Sequence, residues 1–159
     1  MKIRIGQGVD FHRLKKGLLF WLGGIAIPSE KGCIAHSDGD VLIHAVCDAL
    51  LGAAGLRDIG FHFPDTSNEY KNIDSKILLK KTHELIKEKG FGIENIDCTV
   101  CLENPKISPY IPEMIKTIAS VLSIECENIS IKATTTEKLG FIGRKEGIAA
   151  FATVLILRC

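Results

Sequence analysis

The chain has 159 residues, 46% hydrophobic and 25% charged, with a net charge of +1. This suits one domain, residues 1–159, with one core. The even balance argues against a nucleic-acid partner, whose binders usually carry a basic excess. No apolar run approaches the ~20 residues that span a bilayer, and the opening MKIRIGQGVDFH is broken by charges and glycines, unlike a secretory signal. The expectation is a soluble intracellular protein with no membrane partner.

Residues 2–9 alternate polar and apolar and predict a first strand. Residues 18–27 are β-like, broken by Gly23-Gly24 and closed by Pro28. The polar HSDGD at 36–40 predicts a loop. It leads into a helix over 41–51, with Asp40 or Asp38 as N-cap. Residues 52–67 hold glycines, a proline and aspartates and predict an ordered loop. Asp74 or Ser75 caps a helix that runs to about residue 89 and ends at Gly90. Residues 93–102 predict a strand, 105–112 a turn region, and a helix follows to about 122. A strand over 129–133, a loop or short helix over 134–145 and a final strand over 147–157 complete the chain.

This order predicts an α+β fold with a single mixed sheet and helices on one face. The last strand is apolar at Ile148, Ala150, Ala152 and Val154, and also at Ala149, Phe151 and Leu155. A strand apolar on both faces is buried on both. One helix layer covers one face, so the expectation is an oligomer that packs sheet against sheet. The six cysteines predict free thiols rather than disulfides. Cys98 and Cys101 resemble a CxxC, but residues three apart on a strand point to opposite faces.

Asp10 and His12 stand at i and i+2 near the predicted end of the first strand, so their side chains share a face. His44 lies early in the helix after HSDGD. Asp40 and Asp48 lie four residues either side of it, which places all three on one helix face. Asp48 is then the expected carboxylate behind the imidazole. Two histidines and one carboxylate fit zinc with an open position, and equally iron or manganese. Taken singly, DxH reads as a surface pair and His44 as a core histidine.

Five ordered blocks then carry a resemblance: GQGVDFHR at 6–13, AHSDGDVLIHA at 35–45, DIGFHFPDT at 58–66, Pro105-Lys106, and KATTTEKLGF at 132–141 with Gly143-Arg144 and Glu146-Gly147. They resemble the 2-C-methyl-D-erythritol 2,4-cyclodiphosphate synthase family. The resemblance implies a homotrimer with active sites between subunits, and zinc on Asp10, His12 and His44. His36 and Ser37 would meet the erythritol phosphate region, and Asp10 and His12 would also contact the substrate. Asp58, Ile59, Gly60, Phe63, Pro64, Asp65, Thr66 and Ser67 would line the methylerythritol pocket, with Asp58 also reaching the ribose. Leu102, Pro105, Lys106, Ile107 and Ser108 would frame cytosine and phosphates. Ala133, Thr134, Thr135, Thr136 and Glu137 match the diphosphate side, with magnesium on Glu137. His36 and Thr135 would donate hydrogen bonds in the transition state.

The implied reaction cyclises a CDP-linked methylerythritol phosphate with release of CMP. The nucleophile is the substrate's own 2-phosphate, whose second pKa is about 6, so no strong protein base is required. A cavity on the threefold axis, near Phe141 and Arg144, holds isoprenoid diphosphates in some members. This chain has Phe151 where many members carry a polar residue, so that cavity is more apolar or partly filled, and Arg144 remains a candidate anion site. Some relatives carry a fused cytidylyltransferase domain, for which 159 residues leave no room. The expected location is a bacterial cytoplasm or a plastid-type stroma. Two other readings use the same residues: a zinc phosphoesterase with water as nucleophile, and a trimeric sensor of isoprenoid diphosphates.

Overall fold

A computed structural model describes residues 2–158. β1 runs Ile3–Lys16, so Asp10 and His12 lie well inside a strand rather than near its end. The partners explain the added length. β1 pairs antiparallel with β7 (Gly147–Arg158), from Ile3↔Leu157 to Arg13↔Gly147. Its last residues then pair with a short strand that the sequence did not foretell, β4 (Lys31–Cys33). Between them, β2 (Phe20–Leu22) and β3 (Ile25–Ile27) form a separate hairpin.

β5 (Phe91–Cys101) pairs antiparallel with β7 and parallel with β6 (Ile129–Thr134). The sheet is therefore mixed, in the order β4-β1-β7-β5-β6. The helices α1 (Val41–Ala54), α3 (Ser75–Glu88) and α4 (Ile111–Leu122) cover one face. α1 is buried nearly all round because it lies between the sheet and α3. A short helix, α2 (Ile59–His62), interrupts a segment expected to be loop, and α5 (Gly140–Gly143) is the short helix allowed for within 134–145. Among the described residues, no helix is long and apolar enough to cross a membrane.

Among the described residues, no helix layer covers the other sheet face, and Phe141 of α5 lies against part of it. Ile5 is 70% exposed and Phe11 53%, with Ile3 and Val9 also exposed. Phe11 packs edge-on to Phe151, ring centroids 6.1 Å apart, and tilted to Phe141 at 6.2 Å. Cys33, Cys47, Cys98, Cys101 and Cys126 are free thiols. Cys98 is buried on the helix side and Cys101 is not, as their spacing requires. Cys159 lies outside the described residues.

Candidate metal centre

Two glycines bring the centre together. A Cβ on Gly8 would fall 1.9 Å from the Ala45 carbonyl oxygen, and one on Gly6 1.9 Å from that of Ala49. α1 therefore rests on the bare backbone of β1. Residues 6, 8, 10 and 12 share one strand face, so Asp10 and His12 continue the face against which α1 packs. His44, one residue before Ala45, meets them there.

Asp10 Oδ2 lies 3.0 Å from His44 Nδ1 and 3.6 Å from His12 Nδ1. The two imidazoles stand 5.4 Å apart, nearly edge-on. One ligand atom from each of the three residues falls within 4.8 Å of the others. His12 Nδ1 lies 2.7 Å from the Phe11 carbonyl. That oxygen only accepts, so Nδ1 carries the hydrogen and Nε2 keeps the lone pair. His12 Nε2 is buried without a partner. An orphaned buried nitrogen beside a second imidazole and a carboxylate fits a divalent cation such as zinc, and also iron or manganese.

On the far side, His44 Nε2 lies 2.9 Å from Ser75 Oγ and 3.2 Å from Ser37 Oγ. Burial disfavours the charged ring, but the Asp10 hydrogen bond and the charges of Asp10, Asp40 and Asp38 outweigh it and raise the His44 pKa. Asp48 does not support this ring, contrary to the expectation from spacing. Its Oδ1 accepts from the Ile59 N–H at 2.8 Å, at the start of α2. Asp40 also turns away. As the N-cap of α1 it accepts from Ile43 at 3.0 Å, Gly23 at 2.9 Å and Gly24 at 2.6 Å. Burial pushes its pKa up against the lowering effect of those N–H groups.

The triad lies in a cavity of about 340 Å³ that also takes in His36, Ser37, Ile59, Gly60, Phe63 and Asp65. Tyr70, Ile73 and Leu78 line it as well. A second hollow of about 90 Å³ gathers Leu102, Pro105, Lys106, Ile107, Ser108, Ala133, Thr134 and Thr135. Both sit at one end of the sheet, because Phe11, Ala149, Cys101 and Thr134 lie in one row across it. Three strand spacings separate β1 from β6 there, roughly 14 Å.

Several expected residues line neither hollow. Asp58 caps α2 by accepting from the Phe61 N–H at 2.9 Å. Pro64 and Thr66 are exposed in the turn beyond. The Ser67 carbonyl lies 3.4 Å from His36 Nε2. Thr136 donates through its backbone to Glu103 at 3.0 Å. Glu137 accepts from the Thr135 hydroxyl at 2.9 Å. Phe141 belongs to the aromatic cluster on the uncovered sheet face. Arg144 makes two hydrogen bonds of 3.1 Å to Glu146. His62, given no role, is 2.7 Å from the Leu56 carbonyl.

Three residues escaped the sequence reading. Ser75 and Asp38 were weighed only as caps, although Asp38 belongs to the HSDGD block. Glu103 accepts from the backbone of both Thr136 and Lys138. Desolvation opposes it, but these bonds, the Thr136 hydroxyl and the Lys106 charge together hold its pKa below the usual range. Two residues after β5, it faces the threonine loop across the β5–β6 pair, a proximity that local spacing does not reveal.

Known proteins match the chain over almost its whole length. A 2-C-methyl-D-erythritol 2,4-cyclodiphosphate synthase of Bacteroides thetaiotaomicron is 65% identical over 98% of both chains. The Plasmodium falciparum IspF–CDP complex superposes with a TM-score of 0.87 at 40% identity, covering 98% of this chain and 96% of that one. The bifunctional IspDF of Campylobacter jejuni superposes with a TM-score of 0.96 at 44% identity. The match covers 99% of this chain but 43% of that longer protein. The sequence pattern of the YgbB family matches residues 3–157, and the chain belongs to that family.

Proposed function

We propose that this protein converts 4-diphosphocytidyl-2-C-methyl-D-erythritol 2-phosphate into 2-C-methyl-D-erythritol 2,4-cyclodiphosphate and CMP, in the non-mevalonate route to isoprenoid precursors. It would thereby act as a phosphorus–oxygen lyase. One observation carries the reading: Asp10, His12 and His44 converge within 4.8 Å at a cavity that His36, Ser37, Gly60 and Asp65 complete. The relatives' names and the CDP-bound neighbour support it.

In bond terms, an oxygen of the 2-phosphate attacks the diphosphate phosphorus that is esterified to the methylerythritol. The bond from that phosphorus to the bridging oxygen breaks, and CMP departs with the electron pair. Both partners belong to one molecule, so the protein's task is to fold it and neutralise charge. Intramolecular proximity of this kind is worth roughly 7–11 kcal/mol. Ile59, Gly60 and Phe63 offer the apolar wall for the methylerythritol carbons. His36, exposed at the rim, presents its ring to the phosphate, and Ser37 stands beside it. Lys106, Thr134 and Thr135 of the second hollow suit the nucleotide and its diphosphate, with the Thr135 hydroxyl as a donor to developing charge.

A zinc-type cation on Asp10, His12 and His44 would supply Lewis-acid polarisation of a phosphoryl oxygen. Magnesium on Glu137 would supply neutralisation of the leaving group. The two hollows on one chain stand apart, and the apolar sheet face is uncovered. Both features suit a homotrimer in which one subunit's metal side meets its neighbour's threonine side. In that assembly Arg144 would hold an axial anion, such as an isoprenoid diphosphate, by exchanging Glu146 for it. Phe11, Phe141 and Phe151 would make the surrounding space apolar. The location we infer is a bacterial cytoplasm or a plastid-type stroma.

Incubation with the CDP-linked substrate, zinc and magnesium, followed by phosphorus NMR, tests the reading. The expected products are a cyclic diphosphate and CMP. Release of inorganic phosphate, or entry of solvent oxygen into the product, would identify a phosphoesterase instead.

A further inference from the structure

We propose that Ser75 and Asp38 form a positioning relay that fixes the proton of His44 on Nε2 and leaves Nδ1 as the metal-binding lone pair. This rests on the reading of Asp10, His12 and His44 as a cation site.

Ser75 Oγ lies 2.9 Å from His44 Nε2 and 2.5 Å from Asp38 Oδ1. A hydroxyl has one hydrogen and a carboxylate has none. Asp38 is already committed as an acceptor, taking the Ser75 N–H on Oδ2 at 2.8 Å and the Asp40 N–H on Oδ1 at 3.1 Å. A charged acceptor also outcompetes a neutral ring nitrogen. The Ser75 hydrogen therefore goes to Asp38, and Ser75 must accept from His44. His44 then keeps a hydrogen on Nε2. Nδ1 faces Asp10 Oδ2 at 3.0 Å, which accepts the second hydrogen of the charged ring, and that hydrogen is the one a cation replaces. Ser37 Oγ, at 3.2 Å from the same nitrogen, accepts the Gly39 N–H at 3.2 Å, so it too can take the His44 hydrogen as a longer second acceptor.

Ser75 is fully buried and His44 is 6% exposed, so water does not replace the relay. The two histidines thus reach the required form by different routes. His12 is set by the Phe11 carbonyl, which no substitution removes. His44 depends on two side chains, and the outer partners of metal-bound histidines tune affinity strongly. Asp38→Asn reverses the logic where its amide turns toward Ser75. The amide donates to Ser75 Oγ, the hydroxyl donates to Nε2, and the ring hydrogen moves to Nδ1, where a cation must bind.

The test is zinc affinity, by competition with a chromophoric chelator, for the wild type, Ser75→Ala and Asp38→Asn. It is paired with proton–nitrogen-15 NMR of the imidazole N–H groups in the zinc-loaded protein. Ser75→Ala should bind zinc roughly 10–100-fold more weakly and lose the downfield, slowly exchanging Nε2–H signal of His44, while His12 keeps its Nδ1–H signal. Asp38→Asn should weaken zinc binding as well, because its amide turns the Ser75 hydroxyl toward Nε2, an effect that a merely structural role for Asp38 would not produce. A wild type that takes up no zinc would sink the metal reading and the relay with it. A wild type that binds zinc, beside a folded Ser75→Ala of equal affinity and unchanged His44 signature, would overturn the relay alone.

Discussion

On the metal side, His44 and Ser75 are buried, α1 lies directly on β1, and each imidazole has a hydrogen-bond partner behind it. On the threonine side, Glu137 and Lys138 are exposed, with left-handed φ values of 52° and 65°. Such a backbone costs non-glycine residues roughly 1–2 kcal/mol each. There the Glu103 carboxylate ties Thr136 and Lys138 in place from outside the loop. The difference teaches that one half of the site is preorganised by burial and the other by a few exposed hydrogen bonds. Damage to the first should strike metal binding and stability together. Damage to the second should strike substrate binding with the core left whole.

The largest effect expected is that of His44→Ala. Losing a metal ligand worth several kcal/mol should lower turnover by about 1,000-fold or more, with zinc uptake lost and the circular dichroism of the fold retained. A folded, zinc-free His44→Ala protein of full activity would refute the assignment. Next comes Gly8→Ala, whose new methyl has no room beside Ala45. Overpacking of this kind costs about 1–3 kcal/mol. The denaturation midpoint should fall, and zinc affinity with it, because His44 moves away from Asp10. If stability fell while zinc affinity held, the close approach of α1 would not be what assembles the centre.

Glu103→Ala should cost less and in a different quantity. Freeing the threonine loop should raise KM for the CDP-linked substrate about tenfold, equivalent to about 1.4 kcal/mol, with little change in the denaturation midpoint. A large loss of stability would place Glu103 in the core's economy rather than the loop's.

The smallest effect is one of pH. The raised His44 pKa means that the metal-free fold binds a proton more tightly than the unfolded chain does. Its stabilisation is therefore fully present below the ordinary histidine value near 6.5, and it is lost as pH rises through the folded-state value. Urea midpoints of the metal-free protein should fall across that window, and Asp10→Asn should flatten the slope. Zinc should bind more tightly over the same rise, because a cation replaces the proton on Nδ1.

Much of this was legible from local pattern. Residue patterning predicts the sheet strands β1, β5, β6 and β7, and Asp40 and Asp74 cap their helices as residue type suggests. The ordered blocks around Asp10, His12, His36, His44 and Lys106 pointed to residues that the structure places in two hollows. Asp48 was misjudged because a shared helix face does not say what a side chain finds there. The arrival of α2 beside it supplied the Ile59 N–H instead. The short β4 escaped because three residues carry too little periodicity to read.

The sequence by itself determined which residues are able to bind a cation, which long segments fold as strand or helix, and that one strand is apolar on both sides. These follow from residue chemistry and from periods of 2 and 3.6 residues, which are local properties. Only the tertiary structure decided that His44 meets Asp10 and His12, that Ser75 and Asp38 stand behind it, and that Glu103 reaches the threonine loop. Those contacts join residues 31 to 37 positions apart. They exist because glycines let α1 settle on β1 and because β5 and β6 end side by side, which are facts of packing in three dimensions.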